Sequence, residues 1–142
     1  MKKSMVWMLV LFPVFVFAQK QEDGQELIEK FFEHYQTNGP NDAMMYALTT
    51  NKWLGDGDVA HHSPFYKLGK ITSHLGKFTG VEEISVKMVG SRVKIANYMV
   101  YYEMQPLLLT FELYNNNGTW EFADVQYEKR LEKMLATSSL HF

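Results

Sequence analysis

The sequence predicts an α+β domain, with helices gathered ahead of an antiparallel sheet. Three observations predict it. Apolar residues recur at helical spacing up to about residue 75, the period switches to alternation after Gly80, and the alternating segments are joined by short turns. Short connections favour antiparallel neighbours, and helices segregated from such a sheet define the class.

The first segment stands apart from the fold. Lys2 and Lys3 precede an apolar run from Val6 to Phe17, and Val16-Phe17-Ala18 ends it on a small residue. This is the order of a secretory signal peptide, so residues 1–18 are assigned to a signal and 19–142 to one domain. The run is interrupted by Pro13 and is shorter than the roughly 20 residues of a spanning helix. Removing 18 of the 142 residues leaves 124, enough for one core. Without Lys2 and Lys3, 12 basic side chains face 16 acidic ones, a net charge of −4. No basic patch marks a nucleic-acid surface. The absence of cysteine removes disulfides, thiolate chemistry and lipid acylation.

After a polar leader, Asp23-Gly24-Gln25-Glu26 has the spacing of a capping box. Leu27, Ile28, Phe31, Phe32 and Tyr35 follow on one helical face, with Glu26 and Lys30 paired on the other, until Asn38-Gly39-Pro40 stops the helix. A second helix is expected from Asn41 or Asp42 to Thr49. The Gly- and Asp-rich stretch from Asn51 to His62 reads as a loop. Ser63-Pro64 then opens a third helix with Phe65, Leu68, Ile71 and Leu75 as its stripe and Gly76 as its C-terminal cap. Gly69 within it weakens the helix by about 1 kcal/mol relative to alanine.

Ile84, Val86 and Met88 alternate with Ser85 and Lys87 in a first strand. The second runs from Val93 to Met104 and the third from Leu107 to Tyr114. Asn115-Asn116-Asn117-Gly118 marks a tight hairpin, because Asn-Gly accepts positive φ. Trp120, Phe122 and Val125 lie on a fourth strand ending near Tyr127, and Glu128 to Ala136 suggests a charged terminal helix. The second and third strands are apolar on both faces, with Ile95, Met99 and Tyr101 on one and Ala96, Tyr98, Val100 and Tyr102 on the other. Either the molecule covers both faces itself, or one is the surface of a homodimer formed through the sheet.

The order of elements, with Leu75-Gly76-Lys77-Phe78 before the first long strand, an aromatic strand, a Leu-rich strand and an Asn-Gly turn before Trp120, resembles the nuclear transport factor 2-like (cystatin-like α+β roll) superfamily over roughly residues 23 to 128. Within it, the chain is similar to small exported bacterial domains of unassigned function. The resemblance implies a curved four-stranded meander closing with the helices into a cone, and a pocket lined by Phe31, Tyr35, Tyr101, Phe111, Trp120 and Phe122. Isomerases of this fold often carry a tyrosine on the inner face of the first helix, where this chain offers Phe31 and Phe32, a departure that counts against an isomerase.

Asp124 is the candidate catalytic residue. It is in phase with Trp120 and Phe122, and a carboxylate on a concave face would be partly desolvated and suited to acid–base work. The alternative is a solvated carboxylate at the sheet rim. Asp56, Asp58, His61 and His62, with His34 or His74, include metal-ligand residue types, but the spacing fits no known signature and a polar turn explains it as well. No metal and no cofactor are expected. Tyr98, Tyr101, Tyr102, Tyr114 and Tyr127 suit either a ligand pocket or core packing. Lys67, Lys70 and Lys77 read as a solvated face, and Asn117-Gly118-Thr119 matches a glycosylation sequon that the predicted turn also explains.

The expected function is therefore an exported, non-catalytic domain, periplasmic or secreted, that binds a small apolar ligand or an envelope protein. The alternative is a cofactor-free isomerase or dehydratase using Asp124.

Overall fold

The computed structural model describes residues 23–55 and 67–139. The expected signal segment, the expected helix start at Ser63-Pro64 and the Asp56–His62 cluster lie outside these residues. Helix α1 spans Gln25–Asn38, α2 Pro40–Thr50, α3 Lys52–Gly55 and α4 Leu68–Thr72. Strands β1 Phe78–Val89, β2 Val93–Tyr102, β3 Leu107–Asn116 and β4 Thr119–Glu128 follow, then helix α5, Leu131–Ser139. The strands form one antiparallel sheet in the order β1-β2-β3-β4, so the domain is α+β with a meander sheet.

Helix α1 lays Ile28, Phe31, Phe32 and Tyr35 on the inner face of the sheet. Ala96, Tyr98 and Val100 of β2, Leu107, Leu109, Phe111 and Leu113 of β3, and Phe122 and Val125 of β4 meet them. Ala43, Met44, Ala47 and Leu48 of α2 close the same core. Leu108, on the outer face, and Met134 of α5 are also buried but lie outside this core. The outer face carries a polar row across three strands. Thr110 Oγ1 donates to Asn97 Oδ1 at 2.7 Å, and Asn97 Nδ2 donates to Ser85 Oγ at 2.9 Å.

Several local expectations are corrected. Gly24, not Asp23, is the N-cap of α1, with φ of 79°. Asp23 Oδ1 instead accepts the Gln25 N–H at 3.1 Å, and Glu26 turns outward to Lys30. A Cβ on Gly24 would lie 2.9 Å from Leu113 Cδ1, so the close approach of the chain to β3 requires glycine here. Part of the expected loop is helical, because Asn51 Oδ1 accepts the Trp53 N–H and opens the short α3 turn.

Gly76 does not end a helix. Helix α4 stops at Thr72, and residues 75–77 pair with Glu103 and Met104 beyond the β1–β2 ladder, with Leu75 O accepting the Met104 N–H and Lys77 O the Glu103 N–H. Gly69 has a packing reason, since a Cβ there would fall 2.0 Å from Asn41 Oδ1. Glu128 belongs to β4, and its carboxylate accepts the Arg130 N–H ahead of α5, which delays the terminal helix to Leu131. Strand β1 already starts at Phe78, well ahead of Ile84, and β2 ends at Tyr102, before Met104. In the Asn-Gly turn, Asn117 and Gly118 have φ of 52° and 97°, as the hairpin signal requires.

Three irregularities interrupt the ladders. Thr79 and Ile84 are extra residues in β1, and Ala123 is extra in β4, between Phe122 opposite Leu113 and Asp124 opposite Glu112. The last of these decides the placement of Asp124.

Candidate functional site

The six residues expected to line an aromatic pocket divide into three groups. Phe31, Phe111 and Phe122 are fully buried and pack on one another, with ring centroids 4.9 Å apart for Phe31–Phe111, 5.9 Å for Phe31–Phe122 and 5.8 Å for Phe111–Phe122. They fill the core and line neither of the two hollows described below. Tyr35 is buried beside them and its hydroxyl hydrogen-bonds to that of Tyr102. Burial, then that bond, push the Tyr35 phenol far above the ordinary tyrosine range. Tyr101 sits on the outer face and donates to Glu82 Oε2 at 2.6 Å. Trp120 alone of the six lines an open cleft.

Asp124 lies on the opposite face from Phe122 and Val125. The extra residue Ala123 breaks the strand alternation, so the expected phase with Trp120 and Phe122 is lost. Its Oδ1 accepts the Val125 N–H and its Oδ2 the Gln126 Nε2, both at 2.8 Å. The carboxylate therefore holds the irregular strand in shape and faces Glu112 across the ladder.

The cleft beside Trp120, of about 570 Å³, lies where the N-terminus of α1 meets the β3–β4 turn. It is lined by Asp23 to Leu27, Glu29, Lys30 and Gly118 to Trp120. Trp120 and Leu27 supply apolar wall; Asp23, Glu26, Glu29 and Lys30 supply the charged rim. A smaller hollow of about 380 Å³ follows the other side of α1, between Glu29, Phe32, Gln36 and Tyr98.

A continuous polar chain runs beneath the start of α1. Lys94, on β2 and only 2% exposed, donates to Gln25 Oε1 at 3.0 Å and to Asp23 Oδ2 at 3.3 Å. Gln25 Nε2 donates to the Tyr98 hydroxyl at 3.0 Å, which donates to Glu83 Oε2 at 2.6 Å. Burial works against the Asp23 carboxylate, but the Gln25 N–H and the Lys94 ammonium outweigh it and hold its pKa below the ordinary value. Burial first, offset by the Gln25 bond and reinforced by Glu83, pushes the Tyr98 phenol up to about 12. The strap fixes the first turn of α1 and thereby one wall of the cleft.

Lys94 is not among the residues that the sequence singles out. The signal was present: Lys94 is in phase with Ala96, Tyr98 and Val100, on a face that must be buried. Of the other candidates, His34 lies 2.7 Å from Asp42 through Nδ1 and stacks on Tyr46, tying α1 to α2. No group of three or more potential metal ligands occurs among the described residues. No helix among them is long and apolar enough to cross a membrane.

No family model, curated protein or solved structure matches this chain.

Proposed function

We propose that the chain is an exported, non-catalytic binding domain, built as a nuclear transport factor 2-like cone, that takes a small apolar ligand or an apolar segment of an envelope protein in the Trp120 cleft. Export rests on the Lys2-Lys3, Val6–Phe17 and Ala18 pattern, and the mature chain would begin at Gln19. The cone rests on the element order and on α1 lying across a sheet whose strands carry extra residues at Thr79, Ile84 and Ala123.

One observation carries the binding reading. The aromatic side chains that would line an inner pocket are packed on one another, whereas Trp120 and Leu27 border an open cleft. Tryptophan is among the residues most enriched as anchors of binding. The acid–base alternative loses its carboxylate, since Asp124 is on the other face and engaged by Val125 and Gln126.

The neutral apolar dye Nile red tests the reading. Its fluorescence should rise on adding the domain, and Trp120→Ala should weaken binding by about tenfold, the loss of about 1.4 kcal/mol. Asp124→Asn should leave binding unchanged. Equal binding by the wild type and Trp120→Ala, with unchanged circular dichroism, would remove the cleft from the account.

A further inference from the structure

The chain contains two Asn-Gly pairs, Asn38-Gly39 and Asn117-Gly118. Asparagine is thermally labile, and a following glycine leaves the next backbone nitrogen unshielded by a side chain. The two pairs differ in how they are held. Asn38 ends α1, its Nδ2 donates to Asp42 Oδ2 at 3.1 Å, and the Gly39 N–H is bound to Tyr35 O within the helix end.

Asn117 and Gly118 instead form the exposed tip of the β3–β4 hairpin. A Cβ on Gly118 would meet nothing within 4 Å, so water reaches this backbone freely. The Asn117 amide makes no hydrogen bond among the described residues. One contact restrains the pair: the Gly118 N–H donates to Asn115 Oδ1 at 2.7 Å.

We propose that Asn117 is a site of spontaneous deamidation, and that the Asn115 side chain acts as its brake. The Gly118 nitrogen gives up its proton to solvent base and attacks Asn117 Cγ. The new N–Cγ bond closes a cyclic imide as the Cγ–Nδ2 bond breaks, and Nδ2 takes a proton and leaves as ammonia. Water then opens the imide at either carbonyl, giving aspartate or isoaspartate. Water is the sole co-reactant, and nothing is oxidised or reduced. While Asn115 holds the Gly118 N–H, the nitrogen is neither free to lose its proton nor to turn toward Cγ. The product places a new negative charge beside Gly118 and Thr119, at the rim of the Trp120 cleft.

The test is ageing of the folded domain in mildly alkaline buffer, followed by peptide mapping for replacement of an amide NH2 by OH. The modification should appear at Asn117 well before Asn38. Asn115→Ala should accelerate it by about fivefold, the factor that a hydrogen bond of ordinary net strength represents. Asn115→Asp keeps an acceptor oxygen and should retain the slow rate. Modification at Asn38 ahead of Asn117 would overturn the site. Equal rates in the wild type and Asn115→Ala, or equal acceleration in both variants, would overturn the brake.

Discussion

Lys94 is the residue whose burial most shapes the candidate site. Its side chain is 2% exposed, while the Asp23 side chain that faces it is 58% exposed. Removing the two partners should therefore have unequal effects. Asp23→Ala leaves a buried cation without its counter-charge, a loss of roughly 3 kcal/mol. Lys94→Met removes the buried charge and leaves Asp23 in water, so it should cost less than about 1 kcal/mol if the longer apolar chain fills the space. Urea unfolding of the two variants and the double mutant measures the difference. Equal losses would mean that Asp23 is not the compensating charge. The underlying principle was legible in the sequence only as phase, since Lys94 shares a parity with Ala96, Tyr98 and Val100. Its partners were not legible, because Asp23 and Gln25 lie about seventy positions away and meet it through packing alone.

At the scale of elements, the two edges of the sheet are treated differently. The outer edge of β4 is covered by the end of α2. Phe122 N–H donates to Thr50 Oγ1 at 3.1 Å, and Asn51 Nδ2 donates to Phe122 O at 3.0 Å. Asn51 also caps α3 through Oδ1, so one buried amide joins a helix end, a short turn and a strand. Asn51→Ala should destabilise the domain by about 1–3 kcal/mol, because it leaves the Phe122 carbonyl without its partner. Thermal unfolding checks this, and an unchanged midpoint would show that β4 is held by the core alone. Among the described residues β1 pairs with β2 alone, and its other edge carries Glu82, Glu83 and Lys87, while Ile84, Val86, Met88 and Val89 are exposed. Element type was legible here because helical and alternating periods are local properties. The extra residues Thr79, Ile84 and Ala123 were not, since nothing in composition separates an irregular strand from a regular one. That is why Asp124 was expected beside Phe122 and is found opposite Glu112.

At the scale of the molecule, α1 and the sheet enclose an aromatic core with phenols held inside it. Tyr35 and Tyr98 both have raised pKa values, chiefly through burial. A phenol whose folded pKa lies above its unfolded value of about 10 stabilises the fold fully below that value. The contribution is lost as pH rises through the interval up to the folded pKa. Stability should therefore decline above about pH 10, with Tyr35 ionising only on unfolding. Absorbance titration of tyrosinate beside far-ultraviolet circular dichroism checks this. Ionisation of every tyrosine in a folded chain would contradict the closed core.

Amide mapping by heteronuclear NMR during titration with Nile red separates ligand in the cleft from ligand in the core. Binding in the cleft should shift Gly24, Leu27, Gly118 and Thr119 and the Trp120 indole, with Phe31, Phe111 and Phe122 undisturbed. Shifts centred on those three phenylalanines would put the ligand inside the core and contradict it.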